Sequence, residues 1–223
     1  MEIRSRFDER VVVHIPDLAW VSSPLPGVER RMLDRVGGEV ARATSIVRYK
    51  PASRFSEHTH ELGEEFLVLD GVFSDEHGDY PAGTYVRNPP GSGHSPYTEE
   101  GCTIFVKLRQ FDVADQMPVR IDTRSARFAP GAVPGLTVCP LHEFRGENIA
   151  LVRWQPGTEF HEHMHMGGEE ILVLEGTFSD EQGHYPTNTW IRNPHASRHK
   201  PFSKEGCLIY VKVGHLTPAR LRG

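Results

Sequence analysis

The chain reads His58-Thr59-His60-Glu61-Leu62-Gly63-Glu64-Glu65-Phe66-Leu67-Val68-Leu69-Asp70-Gly71. The same text returns as His163-Met164-His165-Met166-Gly167-Gly168-Glu169-Glu170-Ile171-Leu172-Val173-Leu174-Glu175-Gly176. Extended outward, residues 55–108 align with residues 160–213 at a constant offset of 105 without a gap, and more than half of the positions are identical. That agreement means duplication, and a repeat of this length is a domain rather than a solenoid unit. The predicted domains are 1–115 and 116–223, with the Pro- and Gly-containing stretch 118–134 as linker.

Within a repeat the apolar segments are short. Residues 45–49, 66–69, 84–87 and 103–108 are rich in β-branched, aromatic and aliphatic side chains, and Gly, Pro or Asp clusters separate them. Asp75-Glu76-His77-Gly78 and Asp180-Glu181-Gln182-Gly183 read as hairpin turns, and Gly37-Gly38 suggests another. A helix over 29–35 is a weaker alternative with no counterpart in the second repeat. The expected fold is all-β: two antiparallel β-sandwich or barrel units in tandem.

Composition narrows the function. With 25 basic and 30 acidic residues the formal charge is −5, which speaks against a nucleic-acid partner. No apolar run approaches the length of a membrane span, so no membrane partner is expected. Residues 1–10 are charged and give no secretory leader. Three cysteines, none spaced as CxxC, point to a reducing cytoplasm rather than a disulfide framework. Cys102 and Cys207 share strand parity with apolar neighbours and are expected in the core.

Histidine carries the chemistry. His58, His60, Glu64 and His94 recur as His163, His165, Glu169 and His199. On a strand, an HxH pair puts both imidazoles on one face. Glu64 lies too far along a straight strand to share an ion with them, so the chain must reverse at Glu61-Leu62-Gly63, placing Glu64 on a neighbouring antiparallel strand. His94 arrives from a third strand. Three imidazoles and a carboxylate suit Zn, Fe, Mn, Ni or Cu. Parity cannot choose between Glu64 and Glu65, or between Glu169 and Glu170. His161 has Ser56 as its mate and is left out of the ligand set. Arg87/Arg192 and Asn88/Asn193 read as hydrogen-bonding groups of the loop, and Tyr80/Tyr185 as packed turn aromatics.

This spacing resembles the cupin superfamily, whose first motif is G(X)5HXH(X)3–4E(X)6G. Gly157, His163, His165, Glu169 and Gly176 match it fully; in the first repeat Ala52 replaces the opening Gly. The second motif, G(X)5PXG(X)2H, is met by Gly83, Pro89, Gly91 and His94. The second repeat keeps Pro194 and His199 but has Asn188 and Ala196 at the Gly positions, and Thr98 and Ser203 stand where the motif has a later Asn. More narrowly, the text is similar to the cupin-like domain of ChrR-type anti-sigma factors, here duplicated. The resemblance implies a jelly roll with one divalent transition metal per unit, zinc foremost with Fe, Mn and Ni as others. It also selects Glu64 and Glu169 as ligands. It implies a sigma-factor partner too, yet no CxxC or helical hairpin that would serve as the sigma-binding zinc domain is seen.

Two functions fit these readings. One is a metal-binding bicupin that takes a small-molecule ligand or responds to oxidant as a regulatory module, with a homo-oligomer allowed. The alternative is a metal-dependent dioxygenase acting on small diketones or phenolic ketones; no catalytic residue outside the ligand sets is assigned. A further expectation concerns the second site. Arg198 and Lys200 flank His199 where Gly93 and Ser95 flank His94, and with His195 they would draw anionic ligands to the second pocket.

Overall fold

The computed structural model describes residues 1–217 and 221; the end of the second expected domain, 218–220 and 222–223, lies outside them. Strands dominate, with a single short 3-10 turn at Ile15–Asp17 among the described residues. Among the described residues, no helix is long and apolar enough to cross a membrane. The stretch weighed as a helix is part of the strand Val28–Gly37, which pairs with Ala41–Tyr49 around the Gly-Gly turn. Nine tightly paired residues outweigh a weak helical periodicity.

The chain forms two compact units. In the first, the main sheet runs in the order Glu2–Ile3, Val28–Gly37, Ala41–Tyr49, Cys102–Leu108, Glu64–Asp75, Thr84–Asn88, Val119–Asp122. In the second it runs Ala129–Pro130, Leu136–Phe144, Glu147–Trp154, Cys207–Val213, Glu169–Asp180, Thr189–Asn193, Val11–His14. All neighbours are antiparallel. A small two-stranded sheet in each unit pairs His58–His60 with Ser92–His94 and His163–His165 with Ser197–His199.

The units are not the contiguous blocks that a boundary at 115/116 supposes. The first comprises Met1–Ser5 and Leu18–Ala126; the second comprises Arg6–Asp17 and Arg127 onward. Val119–Asp122, expected in the linker, completes the first unit by pairing with Thr84–Asn88. Val11–His14 does the same for the second by pairing with Thr189–Asn193. Each sheet thus ends on a strand that precedes the other repeat in sequence. Hydrogen bonding to an open sheet edge satisfies backbone groups wherever the segment comes from in the chain.

Alternation builds each core. Phe66, Val68, Val86, Ile104 and Val106 point to one side of the first sheet, where they pack with Val47, Phe73, Tyr80 and Cys102. Ile171, Val173, Ile191, Ile209 and Cys207 do so in the second. The cysteines are buried and unpaired, and burial pushes their thiols up to about 12 at Cys102 and about 11 at Cys207. Both long strands shift register beside the inner one, between Thr103 and Ile104 and between Val173 and Glu175. Just beyond, Gly71 and Gly176 hold positive φ, and a Cβ on either would lie 2.1 Å from the carbonyl oxygen of Gly101 or Gly206. Only glycine permits that approach.

Candidate metal centres

In each unit three histidines converge. Nitrogens of His58, His60 and His94 lie within 4.8 Å of one another, and those of His163, His165 and His199 do likewise. The HxH pair sits on one strand of the small sheet. The third histidine comes from its partner strand, where His94 faces His58 and His199 faces His163 in register. The chain then turns: the Gly63 N–H donates to the His60 carbonyl at 3.1 Å, and Gly168 repeats this on His165. Both glycines have positive φ. The turn carries the chain into the main sheet rather than onto an adjacent paired strand. Glu64 and Glu169 therefore reach the histidines from a different sheet.

Parity in that sheet separates the adjacent glutamates. Glu64 Oε2 lies 3.4 Å from His60 Nε2 and 3.5 Å from His94 Nε2. Glu169 is 3.5 Å from both His165 Nε2 and His199 Nε2. Glu65 turns to the opposite face, where buried Arg87 and the Tyr85 hydroxyl donate to it; Arg87 also pairs with Asp115. Glu170 is held by Trp190 Nε1 at 2.7 Å and by His215 at 3.0 Å.

The residues present fit a cation. His58 Nδ1 lies 3.1 Å from the Ser56 carbonyl, and His94 Nδ1 lies 3.1 Å from Asp75 Oδ2. Each partner only accepts, so the Nδ1 atoms carry the protons and both Nε2 lone pairs face the cluster. His60 Nε2 stands 3.1 Å from His94 Nε2, and His165 Nε2 stands 3.0 Å from His199 Nε2. Nitrogen ligands bound to one ion at about 2.0–2.1 Å stand about 3.0–3.4 Å apart. Lone pairs and a carboxylate packed this closely are acceptors in want of a positive centre.

Electrostatics favour neutral rings at His60, His163 and His165. Burial lowers the pKa of His60, and burial with the neighbouring His199 and His163 takes His165 down to about 3. Burial opposes charge on His94 and His199 too. There the Asp75 or Asp180 carboxylate and the ligand glutamate outweigh it, and the pKa is raised.

A second layer of groups was hidden in the turns. Asp75 accepts from the Tyr80 hydroxyl at 2.9 Å, and Asp180 accepts from Tyr185 at 2.6 Å. Asn88 and Asn193 donate to Glu64 and Glu169 at 3.1 and 2.9 Å. An arginine then ties the layer together. Arg120 donates to Asn88 at 2.6 Å and to the Tyr80 hydroxyl at 3.2 Å. Arg10 donates to Asn193 at 2.9 Å, to Tyr185 at 2.7 Å and to Asp180 at 3.0 Å. In the second unit the Asp180–His199 contact is 3.5 Å, too long for a good hydrogen bond. Asp75 and Asp180 could have been picked out by their exact recurrence at offset 105. Arg10 and Arg120 could not, because they lie outside the gapless repeat.

Each histidine group opens onto a cleft. The first, of about 360 Å³, is lined by His58, His60, Glu64 and His94 together with Tyr49, Phe55, Leu108 and Arg30. The second, of about 220 Å³, is walled by Leu136, Val138, Trp154, Phe160 and Val211 around His163, Glu169 and His199. The expected cationic rim of the second site is not found on this cleft. Arg198 and Lys200 are 63% and 59% exposed and face Glu162 and Glu159. On a strand the neighbours of an inward histidine point outward. His195 accepts from the Gly167 N–H at 2.8 Å and serves the loop. His161 stacks on Phe160 beside the site.

Comparison with known proteins agrees with this architecture. The family profile of the ChrR cupin-like domain matches residues 8–112 and again residues 116–217. No curated protein matches the chain. Among solved structures, a proposed dioxygenase of Nostoc punctiforme superposes with a TM-score of 0.77 at 15% identity, covering 92% of this chain and 82% of that one. The Ylba protein of Escherichia coli does so with a TM-score of 0.69 at 16% identity, covering 93% and 92%. Lactobacillus farciminis oxalate decarboxylase, in a formate complex, gives 0.62 at 12% identity, covering 97% and 90%. At such identities the likeness is one of fold.

Proposed function

This chain belongs to the ChrR cupin-like family in two tandem copies, and on that footing we propose that it is a two-site metal protein whose metals take up small ligands as a regulatory module. His58, His60, Glu64 and His94 hold the first ion; His163, His165, Glu169 and His199 hold the second. The observation that carries this reading is the convergence of unprotonated Nε2 atoms with a carboxylate, the ring tautomers being set by Ser56 and Asp75 in the first unit. Zinc is the foremost candidate, and Fe, Mn or Ni suits the same donors.

When bound, the ion supplies Lewis acidity and open positions for an oxygen donor. The chain's own groups do the rest. Asp75 orients His94 and keeps its proton on Nδ1, and Asn88 steers one oxygen of Glu64. Tyr49, Phe55, Phe73 and Leu108 give the first cleft its apolar wall. The test is metal analysis of protein purified without chelator or nickel affinity. Two equivalents of a divalent transition metal per chain are expected, falling to one when either quartet is disabled.

A metal-dependent dioxygenase is the second reading. What favours it is the cleft of about 360 Å³, large enough for a small organic substrate beside the first ligand set. Oxygen uptake by the Fe(II)-loaded protein with diketones or hydroxyacetophenones would support it. The regulatory module predicts ligand binding without turnover.

A further inference from the structure

The two clefts differ in charge at one register position. Arg30 lies opposite Val47 on the strand Val28–Gly37. In the second unit the residue opposite Val152, the repeat mate of Val47, is Val138. Arg30 and Val138 each line their own cleft. The second cleft is therefore apolar at the place where the first presents a guanidinium.

Arg30 is not accounted for by its own unit. Its side chain is only 17% exposed, and its Nε is buried without a hydrogen-bond partner. Its acidic neighbour is Glu39, at 3.5 Å from Nη1, and Glu39 is itself 67% exposed. A pair at that distance with one partner exposed is weak and does not compensate a buried donor. The other lining cation, Arg109, is paired with Glu61 at 3.0 Å. Arg30 and Glu64 both act on the Tyr49 hydroxyl, after burial, and in opposite directions, so they share this neighbour. With a divalent ion held by Glu64 and the histidines, the cleft carries net positive charge facing an unfilled donor.

We propose that the first cleft, alone of the two, is a binding site for a small organic carboxylate: Arg30 takes the carboxylate, and a second oxygen of the same molecule faces the ion held by His58, His60, Glu64 and His94. This rests on the metal reading above and names the ligand class of that site. A guanidinium with a buried, unfilled N–H suits a carboxylate better than a neutral carbonyl, because charge-assisted bonds are the stronger ones.

The experiment is calorimetric titration of metal-loaded protein with malonate and succinate, with malonamide and succinamide as uncharged controls, after the metal content of each sample is measured. One site per chain is expected for at least one dicarboxylate, weakening with added salt, with no binding of the diamides. Arg30→Met should weaken it at least about tenfold and leave metal content unchanged. Glu39→Gln frees Arg30 from its acidic neighbour, and should tighten binding by up to about fivefold. It keeps the proposal exposed should Arg30→Met not fold. Full metal content with no dicarboxylate binding, equal affinity of Arg30→Met, or weaker binding by Glu39→Gln would each overturn the carboxylate site alone. Failure of the wild-type chain to take up metal would overturn the metal reading and this proposal with it.

Discussion

Adjacent glutamates in the repeated text have opposite duties, and substitution should separate them. Glu64 faces the His60 and His94 imidazoles, whereas Glu65 neutralises buried Arg87. Glu64→Gln should abolish tight metal binding in the first unit with little change in melting of the metal-free protein. Glu65→Gln leaves a buried cation short of a partner and should cost about 3 kcal/mol of stability, while metal stoichiometry stays at two. Metal analysis and urea titration of the two variants check both halves. A pH effect belongs to this scale too. The folded pKa of His165 is pushed down to about 3, first by burial, against an ordinary value of about 6.5. Between those values the unfolded chain binds the extra proton, so His165 makes the metal-free protein less stable as pH falls through this window. The raised His199 acts in the opposite sense: its stabilisation is present below its ordinary pKa and is lost as pH rises through the raised one. His165→Asn should therefore flatten the acid loss of stability, read from urea midpoints between pH 7.5 and 5.

At the scale of elements, the turns follow geometry that the glycine motif only approximates. Gly83 and Gly91 hold positive φ, and so do their mates Asn188 (φ 67°) and Ala196 (φ 63°). Ala52, in place of the opening glycine, has φ 58°, where Gly157 has 76°. The backbone conformation is retained although the side chain is not. Asn tolerates the left-handed region, whereas Ala pays about 1–2 kcal/mol there. Ala52→Gly and Ala196→Gly should each stabilise the protein by about 0.5–1 kcal/mol after the entropy of the unfolded glycine is counted. Higher urea midpoints with unchanged metal content would bear this out. Thr98 and Ser203, in place of the motif's Asn, are likewise explained locally. Both are buried, and their hydroxyls donate at 2.7 Å to the carbonyls of Val72 and Thr177.

At the scale of the whole molecule, the outer strands set what can be cut. A chain beginning at residue 116 lacks Arg10 and Val11–His14, which complete the second sheet and clamp Asn193, Tyr185 and Asp180. That fragment should bind metal about 10–100-fold more weakly than the second site of the whole chain, in line with the loss of supporting groups around metal ligands. Adding a peptide of residues 6–17 should restore affinity and raise the melting temperature. A fragment with undiminished affinity would show that the strand and its arginine play no part in the site.

The duplication, the all-β class, the strand positions in each repeat and the six candidate histidine ligands are legible from residues alone, with the glutamates narrowed to the adjacent pairs Glu64/Glu65 and Glu169/Glu170. They follow from local chemistry: period-two alternation, turn residues and a histidine spacing that repeats without a gap. The tertiary structure decided the rest. Which face each of Glu64 and Glu65 takes depends on where the turn at Gly63 hands the chain from one sheet to another. Asp75 looks like a turn residue until His94, from a distant strand, meets it. Arg10 and Arg120 sit at different offsets and reach equivalent groups only because edge strands are recruited by hydrogen bonding, not by order in the chain. Arg30 and Val138 become counterparts only through strand register, since at the repeat offset of 105 Arg30 falls on Gly135.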